Sequence, residues 1–256
     1  MKAVICEKYG GTDVLKVITM PIPEPKANEI LIRIYAASVI PSDIVFREGK
    51  PMVSRAFTGV YRPKHIPGSQ FAGCIEKLGT AVTGYKKGDC VFGTTGTTYG
   101  AHATHLCIAS DAVLIKMPDQ LSFQDAVACL DGSLTSLVFL RDKAKIKPGQ
   151  HILINGASGA VGAHAVQIAK YYGAEVTGVC SGKNTEWVKA LGADHVIDYT
   201  LSDFTEKEDK YDFIFDTVGK SSFAISKNAL KPGGVFLETV PKLGSILRMA
   251  FSRKSS

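Results

Sequence analysis

Residues 151–176 read HILINGASGAVGAHAVQIAKYYGAEV, and this stretch decides the fold. An apolar strand stops at Asn155 and a loop of small residues follows. Val161, Ala165, Ile168 and Tyr172 then recur at helical spacing until Gly173 ends the helix. In a strand, tight loop and helix of this kind, backbone N–H groups and the positive helix end approach a pyrophosphate closely. Gly159 presents no Cβ there, and Gly162 lets the helix pack on its strand. The loop departs from a strict G-x-G-x-x-G, since Gly156 stands one place early and Ala157 occupies the first glycine position. Gly156, Ala157, Ser158, Gly159, Ala160, Val161 and Gly162 are the candidate cofactor-binding loop. A glycine-rich loop can also mark only a close helix–strand contact; the strand before, the amphipathic helix after and the second strand beyond favour dinucleotide binding. No Gly-Lys-Ser/Thr follows, which excludes a Walker-type loop.

Downstream, EVTGVC (175–180), HVID (195–198), DFIFD (212–216) and GVFLETV (234–240) are short and apolar, and helical stretches separate them. That rhythm predicts an α/β domain with a parallel, doubly wound sheet of five strands. Before residue 120 the pattern differs. EILIRIYAA (29–37) puts Ile30, Ile32 and Ile34 on one face, AHATHLCIA (101–109) alternates more loosely, and turn signals interrupt both, as in a small antiparallel barrel or sandwich. Ser122 is placed to cap a helix carrying Asp125 in its first turn. The reading divides the chain into residues 1–121 and 122–256.

The second strand of the parallel set runs into VTGVCSGKN (176–184), about 20 residues beyond the glycine loop, where an Asp or Glu would hold the ribose 2′-hydroxyl of NAD. Ser181 and Lys183 stand there instead, a hydroxyl and a cation suited to a 2′-phosphate, and they favour NADPH. The other reading is a solvated loop lysine before a helix capped by Asn184.

A formal charge of +6 in 256 residues is too mild and too evenly spread to make nucleic acid the default partner, although Arg248, Arg253 and Lys254 make the C-terminal run locally basic. Six cysteines without C-x-x-C spacing argue against a disulfide framework and a cysteine zinc cluster, so reduced thiols are expected. No leader pattern opens the chain and no apolar run reaches membrane-spanning length; the expectation is a cytoplasmic protein with no membrane partner.

IPGSQFAG, KKGDCVFG, GASGAVGAHAVQIAKYYGAEVTGVCSGKN, LGADHVIDYT and YDFIFDTVG occur in this order over nearly the whole chain. Together they resemble the zinc-independent quinone oxidoreductase branch of the medium-chain dehydrogenase/reductase superfamily. The resemblance implies a GroES-like β-rich N-terminal domain, a Rossmann domain, NADPH as cofactor and a quinone or enone as substrate. It implies that Lys183 and Tyr199 surround the 2′-phosphate, that Thr135 lies near the nicotinamide end, and that Thr217, Val218, Gly219 and Val240 line the cofactor. Zinc alcohol dehydrogenases of similar sequence carry a ligand cysteine at the position of Ile40 and Gly-His-Glu at Gly68, Ser69 and Gln70, so no metal is expected.

Without a Lewis acid the chemistry suits acceptors that take hydride readily, and no general acid is forced. VIPSDIVFREG (39–49) resembles the family's segment beneath the nicotinamide, which makes Ser42 and Asp43 the catalytic candidates, with Tyr61 and Tyr99 as further donors. The structural alternative is that Ser42 caps a short helix and Asp43 pairs with Arg47 at i,i+4. His102 and His105 read as satisfied or exposed histidines. In the family a sixth strand and a returning segment follow the fifth, and neither is legible before the chain ends at PKLGSILRMAFSRKSS. The sheet reads as incomplete, a homodimer through the last strand is not expected, and a catalytically weak NADPH-binding or interaction protein stands beside the reductase.

Overall fold

The structure, a computed structural model, describes residues 1–63, 65–206 and 210–240. Arg248, Arg253 and Lys254 lie outside the described residues. Among the described residues no helix is long and apolar enough to cross a membrane.

The alternating segments of the first half form antiparallel sheets. Strands β1 (Lys2–Cys6) and β2 (Leu15–Thr19) pair with each other. Strands β3 (Glu29–Ala37), β4 (Gln70–Leu78), β5 (Cys90–Thr94), β6 (His105–Ala109) and β7 (Leu114–Lys116) form a five-stranded sheet in the order β6-β3-β4-β5-β7. Ile30 and Ile32 are fully buried with Phe71, Ile75 and Val91, and Ile34 packs against that core, as the period-2 pattern requires. Helices α1 (Pro41–Glu48), α2 (Arg55–Thr58) and α3 (Phe123–Ala128) complete this unit, which spans Met1–Leu130. Ser122 caps α3 as its sequence predicts, its Oγ accepting the Asp125 N–H at 3.1 Å. Ala126, Val127 and Leu130 bury against Ala72 of β4, so the compact unit extends to residue 130.

The cysteine expectation needs correction. Cys74 and Cys90 form a disulfide, 16 residues apart in sequence. They are direct partners in the β4–β5 register, where side chains lie on the same face of the sheet. Strand register, which spacing motifs do not encode, brings them together. Cys6, Cys107 and Cys180 remain thiols, and burial pushes Cys107 up to about 11.

The second unit begins at Asp131. Helix α4 (Leu130–Leu137) runs into a π-helical stretch, Val138–Ala144. Then come β8 (His151–Asn155), α5 (Ala160–Tyr171), β9 (Glu175–Cys180), α6 (Thr185–Ala190), β10 (His195–Asp198), β11 (Tyr211–Asp216), α7 (Phe223–Ser226) and β12 (Leu230–Glu238). The five strands are parallel, in the order β10-β9-β8-β11-β12. From β8 the chain builds outward first through β9 and β10, then in the other direction through β11 and β12. The switch point therefore lies between β8 and β11, where open α/β sheets bind ligands at their strand ends. Ile152 and Ile154 face a core with Ala165, Val166 and Ala169 of α5, while Leu153 faces Phe204 and Ala229 on the other side. The deeply buried face of α5 thus includes Ala165, Val166 and Ala169, with Val161, Ile168 and Tyr172 at its margin. Strand β12 begins at Leu230, ahead of the predicted Gly234, because the β11–β12 register shifts across Lys231–Gly234, where Gly233 takes φ +79°.

Candidate functional site

The strand ends around the switch point form one polar corner of the second unit. Gly156 and Ala157 donate their N–H groups to the Val179 carbonyl at 3.1 and 3.0 Å, which tucks the loop after β8 against β9. Gly156 sits at φ +86°, and a Cβ there would meet Val218 Cγ1 at 2.6 Å and Thr217 Oγ1 at 2.7 Å. Gly162 is required for packing, since a Cβ would overlap the Gly156 carbonyl and lie 2.8 Å from Ala157 Cα. Gly159 is the N-cap of α5 with ordinary φ (−82°), and its exposure leaves the first N–H groups of the helix open. The Ala157 methyl is fully buried and its N–H is taken by Val179, so that residue anchors the loop. Helix α4 docks on the start of α5: Ser136 Oγ donates to the Val161 carbonyl at 2.8 Å, and a Cβ on Gly132 would overlap the Ala160 carbonyl. Thr135, half-buried, rides on that helix.

The loop after β11 is organised by Asp216, a residue the sequence reading did not single out. Its carboxylate is fully buried. Oδ1 accepts from Asn155 Nδ2 at 3.2 Å and from the N–H groups of Val218 and Gly219, both at 3.1 Å; Oδ2 accepts from the Ser221 N–H at 2.8 Å. Thr217 donates both its N–H (3.1 Å) and its hydroxyl (2.8 Å) to the Asn155 carbonyl. Gly219 takes φ +68°, and a Cβ on it would lie 3.1 Å from Val240 Cβ. Gly156, Thr217, Val218, Gly219 and Val240, far apart in sequence, are therefore brought together. The signal that could have found Asp216 is a strand-terminal acid directly before Thr-Val-Gly, where unpaired N–H groups need an acceptor.

At the end of β9, Lys183 is exposed and makes no ion pair among the described residues. Asn184 occupies the N-cap position of α6 but does not cap it, contrary to the sequence alternative. Its Nδ2 donates instead to Ser158 Oγ at 3.1 Å and Ser181 Oγ at 3.2 Å. The N–H of Tyr199 bonds the Cys180 carbonyl at 3.1 Å, and its ring is 62% exposed beside this corner. The carboxylate absent from the end of β9 is supplied by the neighbouring strand: Asp198 abuts Gly182. Asp198 accepts from the Thr200 N–H (2.9 Å) and hydroxyl (2.8 Å), and these bonds, with the Gly182 N–H, hold its pKa below the usual carboxylate range.

The catalytic candidates lie in the first unit. Ser42 is exposed in the first turn of α1 and is not its cap; Ile40 holds that position, and Asp43 Oδ2 accepts the Ile40 N–H at 2.9 Å. The predicted Asp43–Arg47 pair is absent, because Arg47 donates to Glu48 (2.9 Å) and the Gly10 carbonyl (3.2 Å). Asp43 is buried, faces His102 Nε2 at 4.0 Å, and its Oδ1 has no hydrogen-bond partner. His102 Nε2 lies 2.9 Å from the Ser38 carbonyl, and His105 lies 3.3 Å from Glu76; both histidines are satisfied. Tyr99 stands edge-on to Phe46 at φ +58°, a left-handed conformation rare for a tyrosine, and burial followed by the Asp43 charge raises its pKa. Tyr61 is 93% exposed.

Comparison with known proteins agrees with both units. The alcohol dehydrogenase GroES-like domain family matches residues 26–119, and the zinc-binding dehydrogenase family matches residues 160–239. The chloroplastic quinone-oxidoreductase homolog of Spinacia oleracea is 31% identical over 256 residues, covering 96% of this chain and 75% of that one. The solved quinone oxidoreductase from Coxiella burnetii superposes with a TM-score of 0.88 at 31% identity, over 99% of this chain and 80% of that one. The chain belongs to the quinone oxidoreductase branch of the medium-chain dehydrogenase/reductase superfamily. A further relative, the chloroplastic NADPH-dependent alkenal/one oxidoreductase of Arabidopsis thaliana, is 32% identical over 248 residues, 91% of this chain and 61% of that protein.

Within this oxidoreductase the zinc-ligand positions of the wider superfamily hold other chemistry. Ile40 ends in a methyl group, and Gln70, buried in β4, accepts the Ser38 hydroxyl at 2.7 Å. Ser69, between Gly68 and Gln70, offers its carbonyl to the Thr95 N–H at 2.7 Å.

Proposed function

We propose that the protein is an NADPH-dependent reductase of quinones or enones that works by direct hydride transfer without metal. The observation that carries this reading is the end of β9, where Ser181 and Lys183, which makes no ion pair among the described residues, stand beside the glycine loop. The second unit, from Asp131 onward, would hold the dinucleotide, and the first, Met1–Leu130, the acceptor. NADPH, when bound, supplies the hydride. Within the loop from Gly156 to Gly162, the N–H groups of Gly156, Ala157 and Gly159 are taken by backbone carbonyls, so Ser158, Ala160, Val161 and Gly162 would offer theirs to the pyrophosphate, with no Cβ at Gly159 to hinder approach. Lys183, Ser181 and Tyr199 would surround the 2′-phosphate, and Thr135, Thr217, Val218, Gly219 and Val240 would bound the nicotinamide half. Asp43 is the best of the catalytic candidates, being buried with one oxygen unpartnered, whereas Ser42 and Tyr61 are exposed.

The test is steady-state oxidation of NADPH and NADH with phenanthrenequinone and with a simple enone. NADPH is expected to be preferred, and Lys183→Ala to reduce that preference by about tenfold, the worth of one charge-assisted contact at an exposed site. A preference unchanged by Lys183→Ala overturns the reading of this loop. Tight NADPH binding with no turnover on either acceptor class would favour a binding protein over a reductase.

A further inference from the structure

The geometry points to Asn184 as a positioning residue that sets the polarity of the phosphate-binding corner. An asparagine at a helix N-cap position ordinarily turns its side-chain oxygen onto the N–H groups of its own helix. Asn184 does not: its Nδ2 reaches back to Ser158 Oγ at 3.1 Å and Ser181 Oγ at 3.2 Å. An amide nitrogen carries two hydrogens, so one is given to each serine. A hydroxyl oxygen that accepts retains a single proton to donate, and neither hydroxyl has another side-chain partner among the described residues. Neither serine gives its proton to Asn184, so each keeps that proton for a ligand and holds one lone pair besides, one serine on the loop after β8 and one after β9.

Asp198, the carboxylate that abuts Gly182, takes the Thr200 N–H, the Thr200 hydroxyl and the Gly182 N–H, which fill most of its acceptor capacity. With Lys183 exposed alongside, the corner presents donors and a cation to its ligand. A phosphate ester, which only accepts when dianionic, fits that arrangement. A free ribose diol can donate to the lone pair each serine retains, but it gives Lys183 no anionic partner. The inference rests on the NADPH reading of the same corner and adds a residue that imposes it without touching the cofactor.

The protein's single tryptophan, Trp187 on α6, is 48% exposed and serves as the fluorescence probe for dinucleotide binding, with calorimetry as the second readout. A double-mutant cycle with Asn184→Ala and the pair Ser158→Ala/Ser181→Ala is read as Kd for NADPH and NADH. Asn184→Ala is expected to weaken NADPH binding by about fivefold and NADH by less than about twofold, and to change affinity by less than about twofold once both serines are gone. The same loss in both backgrounds, or equal losses for the two cofactors, overturns the inference. If the serine pair does not fold, Asn184→Asp decides: it keeps the volume but reverses the polarity, so it should weaken NADPH more than Asn184→Ala does. NADPH affinity at the wild-type level in Asn184→Asp overturns the inference. Should the wild-type protein bind NADH as tightly as NADPH, the cofactor reading fails, while the cycle run with NADH still decides whether Asn184 acts through the serines.

Discussion

Two buried aspartates, one in each unit, sit at turns that carry candidate site residues, and they are served very differently. Asp216 is fully buried, and four donors meet its two oxygens: three backbone N–H groups and Asn155 Nδ2. Asp43 is 7% exposed; one oxygen takes the Ile40 N–H and the other takes nothing. A buried carboxylate is tolerated when its desolvation is offset by charge-assisted bonds. Asp216 meets that condition and so acts as a scaffold, fixing the loop from Thr217 to Ser221 beside the glycine turn. Asp43 meets it by half, and buried polar atoms left without partners in folded proteins are few and call for a reason. The corner proposed for the dinucleotide is therefore built before any ligand arrives, whereas the Asp43 corner retains an acceptor in reserve.

The largest effect that would break this contrast is at Asp216. Asp216→Asn places an amide N–H₂ among four groups that all donate, and about 3 kcal/mol of stability should be lost. Urea denaturation measures it, and NADPH affinity should fall with it because the amide keeps an oxygen toward Asn155, Val218 and Gly219 only by turning its N–H₂ onto the Ser221 N–H, which loosens the loop. A variant as stable as the wild type would show that Asp216 is not the organising group. Gly162→Ala comes next. Its Cβ would meet backbone, the Gly156 carbonyl and Ala157 Cα, neither of which can rotate aside. A loss of about 2 kcal/mol is expected, with weakened NADPH binding, and binding measured at a temperature well below the unfolding midpoint separates the two effects.

The same contrast explains how much the sequence disclosed. Strands β8 to β11, the helix after the glycine loop and the Ser122 cap were legible because they rest on local periodicity and local chemistry. The need for glycine at 162 was legible too, since the strand, loop and helix order fixes where backbone meets backbone. Features that depend on which strands become neighbours were not. The Cys74–Cys90 disulfide follows from the β4–β5 register. Asp198 reaches Gly182 because β10 lies beside β9. Asn184 reads locally as a helix cap, yet its partners are Ser158, 26 residues earlier, and Ser181. Around Asp43, the i,i+4 rule suggested Arg47, but the guanidinium found a carbonyl and Glu48 instead.

The smallest predicted effect is the most discriminating. In Asp43→Asn the side-chain oxygen keeps the Ile40 N–H, and the amide nitrogen takes the place of the unpartnered oxygen. Removing the charge relieves its desolvation, while the first turn of α1 loses a favourable interaction with the helix dipole, worth about 0.3–1 kcal/mol. These terms oppose each other, so the urea midpoint should correspond to a change within about 1 kcal/mol of the wild type, in either direction, with NADPH affinity unchanged. The same substitution at Asp216 removes about three times as much. If Asp43→Asn proves as costly as Asp216→Asn, the free oxygen of Asp43 is occupied in solution, and the two aspartates belong to one class after all.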